Sequence, residues 1–371
     1  MNFLASILFA LCAVVILVAI PWVGVGALDW KVLFGIVIPY AALAVFFVGI
    51  AVRVIGWARL PVPFRIPTTA GQQKSLPWIK QNRVDNPSST AGVVVRMIFE
   101  VLLFRSLFRN TRMEFRGGIK IGYEWEKWLW IAALAFHYSF LVVVIRHLRF
   151  FTEPIPGFVK LLENLDGWFE VGVAPFPGTA VPVVLISGIV LLLAATFLFL
   201  RRLLSFQVRH ISLPADYFPL FLILGIGTTG VLMRYGGSLT RFFLGVDFFS
   251  ADIVGVKELA LGLFSFHPTI PEGIGALFFI HLFLVSFLIA YFPFSKLMHL
   301  AGIFLSPTRN LSNNSRMKRH INPWDYPVKT HTYEEYEDEF REKMIEAGLP
   351  VVNAPEPPAD EAEAPEVKEK E

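Results

Sequence analysis

Six runs of about twenty apolar residues constrain this chain more than any other feature of its sequence. A helix of that length crosses the roughly 30 Å hydrocarbon core of a bilayer, and a soluble domain would not repeat such runs. The runs therefore predict an all-α fold, a polytopic membrane helical bundle with six transmembrane helices. They are Phe3–Ala27, Val32–Ala51, Trp128–Ile145, Val181–Leu200, Tyr217–Met233 and Gly273–Leu305.

Residues between the runs divide the chain into four segments. The first run has no basic segment before it and is too long for the apolar part of a secretion signal, so we expect a retained helix. The end of the chain is dominated by Pro, Ala and Glu and is predicted to be disordered. The predicted segments are two N-terminal spans in residues 1–58, a cytoplasmic loop in 59–125, four spans in 126–305 and a cytoplasmic tail in 306–371.

The distribution of Lys and Arg predicts the orientation of the spans. These residues are frequent in the loop after the second run, in the turn after the fourth and in the segment after the sixth. They are scarce in residues 151–180 and 235–272. Because short cytoplasmic loops carry the excess of positive charge, we predict a multi-pass protein of the cytoplasmic (inner) membrane with both termini in the cytoplasm.

Four histidines lie in or at the end of two of these runs. His137 and His147 are ten residues apart in and after the third run, which is roughly 15 Å along a helix axis. His281 and His299 are eighteen residues apart in the last run, about 27 Å if the run is one helix. Ionisable groups inside a membrane are costly and usually functional, although unrelated polar residues are the alternative. Two matched pairs are the pattern that two bis-histidine haems stacked across a membrane require.

Depth in the membrane predicts how these histidines pair. The third span runs outward and the sixth runs inward, so His147 pairs with His281 at the outer face and His137 pairs with His299 at the inner face. The two axial spacings differ by about 12 Å. Helix tilt, a kink at Pro293 and obliquely set ligands must absorb that difference.

The single cysteine limits the redox groups that the chain can hold by itself. Cys12 lies inside the first run, so the chain has neither the thiolates for an iron–sulfur cluster nor a motif for covalent haem attachment. Any haem is therefore expected to be b-type. Any cluster that exchanges electrons with it belongs to another subunit.

Three arginines and three glycines near the histidines allow two interpretations each. Arg146, Arg149 and Arg234 lie at the outer ends of spans and could hold haem propionates, or could simply extend their charges to the membrane surface. Glycines of the fifth run could admit a porphyrin or a neighbouring helix. They are Gly225, Gly227 and Gly230.

The segment Gly92–Asn110 combines apolar residues with charges at helical spacing. Its charged residues are Arg96, Glu100, Arg105 and Arg109. Such a helix fits the cytoplasmic membrane interface, and a docking face for a partner is the alternative.

The histidine spacings resemble a known family. Ten residues in one helix and eighteen in the last are similar to the NarI-type γ subunits of respiratory nitrate reductases, which are di-haem cytochromes b. The resemblance covers about Lys31–Leu305 and implies a NarI-like five-helix core with an extra N-terminal helix. The stretch Phe294–Leu311 is closer to the DsrM family, the membrane cytochromes of DsrMKJOP complexes, called HmeC in the Hdr-like menaquinol-oxidising enzyme.

The resemblance implies two haem b groups, with His147 and His281 on the outer one and His137 and His299 on the inner one. It also implies a menaquinone site beside the outer haem, a cytoplasmic iron–sulfur partner resembling DsrK, and the other DsrMKJOP subunits. In the nitrate reductase family a glycine precedes the outer-haem histidine. Because Arg146 stands there in this chain, the quinone pocket does not transfer in detail, and Lys160 is only a positional candidate for contact with quinone.

Residues and resemblance together predict an electron-transfer subunit between menaquinone and the iron–sulfur partner in dissimilatory sulfur metabolism. The sequence leaves open whether the chain is itself an enzyme. The binding partners that we expect are lipid, quinone and other protein subunits, with no nucleic acid. One alternative is the cytochrome b of a nitrate-reductase-like or other heterodisulfide-reductase-like complex. A non-redox anchor or a proton-relay transporter is another, although the six apolar runs contain no Asp or Glu.

Overall fold

The computed structural model describes residues 3–62, 71–118, 120–167, 183–237, 252–314 and 327–353. Within these residues, six helices are long and apolar enough to cross a membrane, one for each predicted run. The predicted all-α membrane bundle is thereby confirmed. The spans are Phe3–Gly26, Leu33–Ala58, Lys127–Phe150, Ile186–Leu204, Pro214–Gly236 and Ala276–Phe294.

Shorter helices occur between and after the spans, and all described helices are labelled here in chain order. The labels are α1 Phe3–Gly26, α2 Ile38–Ala58, α3 Thr90–Leu103, α4 Arg105–Phe108, α5 Lys127–His147, α6 Gly157–Asp166, α7 Ile186–Leu204, α8 Phe206–Ile211, α9 Pro214–Val231, α10 Ile253–Phe264, α11 Ala276–Tyr291, α12 His299–Leu305, α13 Pro307–Asn310 and α14 Tyr333–Glu346. Wide π-helical turns, Leu33–Val37 and Leu232–Gly236, precede α2 and follow α9.

Helix α11 lies at the centre of the bundle. It packs against α1, α2 and α9, while α7 packs against both α5 and α9. Phe279 and Leu284 on α11 are fully buried and belong to two apolar clusters, one with Phe34 and Leu259 and the other with Leu222. Many apolar side chains of the helices around α11 are exposed, as a surface in contact with lipid requires.

The last apolar run is not one continuous helix. Helix α11 ends at Tyr291, and two 3₁₀ turns follow, separated by Ser295 in an extended conformation. Pro293 has no N–H to continue the helix, and the Ser295 hydroxyl accepts a bond of 3.1 Å from the N–H of Leu297, which starts the next turn. A Cβ on Gly49 of α2 would lie 2.7 Å from Pro293, so the glycine lets α2 pack on this break.

The helix break at Pro293 corrects the predicted axial distance between His281 and His299. An axial spacing of about 27 Å between His281 and His299 assumed one helix, but the two residues lie on α11 and α12. The predicted interruption at Pro293 is confirmed, and the mismatch of about 12 Å between the two histidine spacings no longer has to be absorbed by tilt.

A β-hairpin before α5 was missed by the sequence reasoning, which predicted only a helix in this loop. Strands β1 Thr111–Arg116 and β2 Lys120–Trp125 are antiparallel, with Thr111 opposite Trp125. Gly117 and Gly118 follow β1 with positive φ angles of 57° and 93°, which glycine adopts without strain. A glycine pair between two alternating runs was the available signal.

The predicted amphipathic segment Gly92–Asn110 forms two helices, α3 and α4, joined at Phe104. Helix α3 buries its charged residues Arg96 and Glu100 and exposes apolar ones such as Ile98 and Leu102. Glu100 forms an ion pair with Arg309 of α13. This inverted arrangement suits a helix with protein on one side and lipid on the other; its location in the cytoplasmic interface stays a prediction.

Helix α6, between the third and fourth spans, has the same inverted arrangement. Its exposed apolar side chains are Phe158, Leu161 and Leu165. On the opposite side, Glu163 pairs with Arg149 at 2.6 Å and Asp166 is buried. Helices α3 and α6 contact opposite ends of α5, through bonds to Leu103 O and to Asp166 respectively.

The chain divides into two compact units, Met1–Met317 and Lys318–Glu371. In the second unit, Thr332 and Glu335 form a capping box at the start of α14. Glu337 accepts bonds of 2.8 Å from the N–H groups of Val352 and Asn353. The disorder predicted for the end of the tail concerns residues 354–371, which lie outside the described residues. Parts of the loops from which the orientation was predicted also lie outside them.

Candidate functional site

The structure places the four candidate histidines in two pairs. The rings of His147 and His281 have centres 6.4 Å apart and planes 16° from parallel. The rings of His137 and His299 have centres 5.9 Å apart and planes at 87°. These are the pairs that depth in the membrane predicts.

The spacing of each pair fits two axial ligands on one metal. An imidazole binds a metal through a nitrogen at about 2 Å, so two rings on opposite sides of one iron have centres roughly 6 Å apart. Both observed separations agree with that value. The described residues therefore fit haem iron at both positions.

Hydrogen bonds at Nδ1 determine which ring nitrogen of each histidine is available to a metal. A carbonyl oxygen can only accept, so an Nδ1 atom bonded to one carries the proton and leaves the Nε2 lone pair for a metal. The carbonyl partners are Ala133 for His137 at 2.7 Å, Val143 for His147 at 2.7 Å and Lys296 for His299 at 2.9 Å. His210 makes a similar bond on α8, so pairing, rather than this bond, distinguishes the candidate ligands.

His281 differs from the other three because its Nδ1 partner is a side chain of another helix. Its Nδ1 lies 2.8 Å from the hydroxyl oxygen of Thr229 on α9. The neighbouring Gly230 brings α9 close to the ring, since a Cβ there would lie 3.3 Å from His281 Cε1. Thr229 was not singled out in the sequence, because nothing local distinguishes its hydroxyl from that of Thr228.

The structure separates the three glycines by their neighbours. An added Cβ on Gly225 would meet Val14 and Leu284, and one on Gly227 would meet Leu192. These two positions allow close helix packing. Gly230 faces His281 instead.

Phe104 contacts His137, and the sequence did not predict this contact. It joins α3 to α4 in the left-handed conformation, with φ 49° and ψ 49°. Its ring meets the ring of His137 edge-on at 4.9 Å between centres. A non-glycine residue in this region is uncommon and is held there by its surroundings, but no sequence pattern marks it.

Two of the candidate propionate anchors are engaged by acidic residues. Arg146 forms an ion pair with buried Asp166 and donates to the Ser187 hydroxyl at 3.0 Å. Asp166 also accepts bonds of 2.7 Å from the Ser187 N–H and hydroxyl. Arg149 pairs with Glu163. These contacts connect α5, α6 and α7 beside His147.

Arg146 and Arg234 retain donors that a propionate could use. The Nε of Arg146 is buried, with no hydrogen-bond partner among the described residues. Arg234 donates from Nη2 to the Val183 carbonyl at 3.1 Å, and a guanidinium has further N–H groups. The carboxylates of haem b are acceptors of the kind that such donors bind.

A polar cluster surrounds Asp85 at the end of the bundle where Phe104 and His137 lie. Asp85 is paired with Arg105 at 2.6 Å and with Arg109. Burial raises the pKa of this carboxyl, but bonds from Arg105 and Asn82 and the charges of both arginines outweigh burial, so the pKa lies below its usual range. This cluster holds α4, and hence Phe104, against the loop that precedes α3.

Comparison with known proteins identifies the family. The family described as nitrate reductase gamma subunit matches residues 101–319, more than half of the chain. The match starts later than the Lys31 predicted from the resemblance and extends beyond Leu305. It includes all four paired histidines.

Two archaeal relatives match most of this chain, and both are described as an Hdr-like menaquinol oxidoreductase cytochrome b-like subunit. The relative from Archaeoglobus fulgidus is 42% identical over 301 residues, which are 79% of this chain and 84% of the relative. The relative from Archaeoglobus profundus is 45% identical over 295 residues, 78% of this chain and 81% of the relative. With its six spans and these similarities, the chain is a multi-pass membrane protein that belongs to the nitrate reductase gamma subunit family, together with the cytochrome b-like subunits of Hdr-like menaquinol oxidoreductases.

Proposed function

We propose that the chain is the di-haem cytochrome b subunit of a menaquinone-linked complex, of the DsrM or HmeC type. The observation that carries this proposal is the arrangement of the four histidines in two pairs with the spacing of axial ligands. The similarity to cytochrome b-like subunits supports it. The complex named for those relatives acts on menaquinol, which supports the same quinone here.

In this proposal His147 and His281 hold an outer haem b, and His137 and His299 hold an inner one. Bound haem supplies reversible one-electron transfer, while the chain supplies the ligands, their orientation and an apolar surrounding. Arg146 and Arg234 bind propionates at the outer end through their remaining donors. The chain spans the cytoplasmic membrane with both termini inside, as the distribution of Lys and Arg supports.

A menaquinol beside the outer pair would become menaquinone by giving up two protons at the outer face and two electrons, one at a time, to the haem that His147 and His281 would hold. The haem that His137 and His299 would hold would pass these electrons to a cytoplasmic iron–sulfur subunit resembling DsrK. The need for a separate subunit rests on Cys12, since one cysteine cannot hold a cluster. Other DsrMKJOP subunits complete the complex, which serves dissimilatory sulfur metabolism. A related nitrate-reductase-like or heterodisulfide-reductase-like complex would use the same two pairs.

A reduction experiment tests this direction of transfer. The full chain in membranes is supplied with a menaquinol analogue, and the absorbance of each haem is followed in the wild-type protein and in His147→Ala. We expect the variant to lose reduction by quinol, while a cytoplasmic-side reductant still reduces the haem of His137 and His299. His210→Ala is the matched control, because this histidine lies outside both pairs.

Two results would contradict the proposal. Quinol that still reduced the inner haem of His147→Ala at the wild-type rate would move the quinone site to the cytoplasmic side. Wild-type protein with fewer than two haems per chain, after expression with ample haem, would contradict the two-pair assignment itself.

A further inference from the structure

We infer that Thr229 is a positioning residue that orients His281 and increases its strength as an iron ligand, which lowers the reduction potential of the outer haem below the value it would have without this hydroxyl. This inference rests on the proposed function, since it requires that His281 be an axial ligand. It adds a residue of α9, a helix that supplies none of the four histidines.

A side-chain substitution can remove the hydroxyl that bonds to His281 Nδ1 at 2.8 Å, whereas the Ile226 carbonyl, which also interacts with this ring, would remain. The Nδ1 atoms of His137, His147 and His299 bond to backbone carbonyls three or four residues earlier in the chain. Those acceptors remain whatever side chain is present. His281 bonds instead to a hydroxyl 52 residues away in sequence, on a neighbouring helix.

The contacts of the Thr229 hydroxyl determine the direction of its bond to His281. Its oxygen lies 3.0 Å from the carbonyl of Gly225 and 2.9 Å from that of Ile226. These carbonyls only accept, so the one hydroxyl proton points to them. The oxygen lone pair then accepts from His281 Nδ1–H at 2.8 Å, which leaves Nε2 unprotonated for a metal.

Thr229 and Gly230 together hold the ring of His281. The threonine side chain is buried, where hydrogen bonds polarise one another and are stronger than in water. Gly230 allows α9 to approach the adjacent ring atom, Cε1, which is bonded to Nδ1. The ring is thereby kept nearly parallel to that of His147.

The hydrogen bond has a predictable effect on a bound metal. An acceptor at Nδ1–H raises the basicity of the ligating imidazole. A more basic ligand favours ferric over ferrous iron and so lowers the reduction potential. Removal of the hydroxyl should therefore raise the potential of the outer haem and leave the inner one unchanged.

The test compares four variants of the full chain, each purified with its haems and titrated by spectroelectrochemistry. Thr229→Val removes the acceptor at nearly constant volume, Thr229→Ala removes it with less steric risk, and Thr229→Ser retains it. Thr228→Val is the matched control, because Thr228 is the adjacent residue of the same helix and is exposed. All four are first checked for two haems per chain.

In Thr229→Val and Thr229→Ala, the ratio of reduced to oxidised outer haem at the wild-type midpoint should rise about fivefold to tenfold, a tenfold change being 59 mV for one electron. Thr229→Ser and Thr228→Val should stay close to wild type. Loss of the outer haem alone in Thr229→Val, with retention in Thr229→Ser, would also support the inference. Unchanged potentials in both acceptor-deleted variants, or an equal shift in Thr228→Val, would overturn it.

The variant His281→Ala separates failure of this inference from failure of the proposed function. If His281→Ala loses one haem and Thr229→Val has unchanged potentials, only the role of Thr229 is wrong. If His281→Ala retains both haems with wild-type spectra, the ligand assignment and the inference fail together.

Discussion

His147 and His281 lie on two long helices, α5 and α11, with nearly parallel and half-buried rings. His137 and His299 are perpendicular and exposed, and His299 lies on the short helix α12 beyond a break in the chain. The pair of His147 and His281 is thus held by packed spans and by a hydroxyl of α9, whereas the pair of His137 and His299 depends on the turns around Pro293 and on Phe104. Similar spacing between two histidine rings can therefore be produced in two ways. In one pair both rings lie on long packed helices, and in the other pair one ring is positioned by the turns that follow a helix break.

The largest expected effect is loss of one haem when either pair is broken. His147→Ala and His281→Ala should remove the same component of the reduced-minus-oxidised spectrum, and His137→Ala and His299→Ala should remove the other. Each haem needs both axial ligands for its low-spin spectrum. If His137→Ala and His281→Ala removed the same component, the pairing by position would be wrong.

A substitution at the break should affect the inner pair alone. Pro293→Ala restores an N–H and lets α11 continue, which turns His299 away from His137. We expect at least about a twofold loss of the inner haem, measured as its component of the reduced-minus-oxidised spectrum of the purified protein, with the outer component retained. Pro219→Ala is the control, since Pro219 lies inside α9, which continues past it. Equal loss of both haems in Pro293→Ala would show that the break supports the whole bundle.

Phe104 should affect the inner haem with little change in stability. In Phe104→Gly, relief of left-handed strain of about 1 kcal/mol offsets half of the loss of about 2 kcal/mol from ring burial, so the net destabilisation is about 1 kcal/mol. Water gains access beside His137, which stabilises the charged ferric state and lowers the inner potential.

Redox titration checks this expectation, and the outer potential serves as the internal reference. Phe108→Ala is the matched variant on α4, because Phe108 contacts Trp125 and Trp130. A shift of the outer potential in Phe104→Gly would contradict a local role.

The smallest effect concerns pH and the cluster around Asp85. Because the pKa of Asp85 lies below its ordinary value of 3.8, its ion pairs stabilise the fold above that value. The contribution is lost as the pH falls through the lower folded value. We expect α4 amides to exchange hydrogen faster as the pH is lowered below about 4, after correction for the intrinsic rate.

Asp85→Asn should remove this pH dependence. Asp29→Asn, which breaks an exposed pair with Lys31, should leave it unchanged. Persistent pH dependence in Asp85→Asn would assign it to another group.

Much of the architecture followed from local patterns in the chain. Apolar length predicts a span because the bilayer thickness sets it, and all six predicted spans match described helices. The proline of the last run also indicated where that helix would end. The hairpin at Gly117 and Gly118 was missed because short strands in a basic loop carry a weaker signal than an apolar run of twenty residues.

By itself, the sequence determined the number of spans and which histidine rings lie close together, and its one cysteine, Cys12, leaves this chain without the thiolates for a cluster. These depend on residue spacing and composition, which helical geometry converts directly into position. Only the tertiary structure decided the ring planes, the contact of Phe104 with His137 and the bond from His281 to Thr229. Those contacts join residues on different helices, and they depend on how the helices cross and on where a turn places a side chain, which no local period encodes.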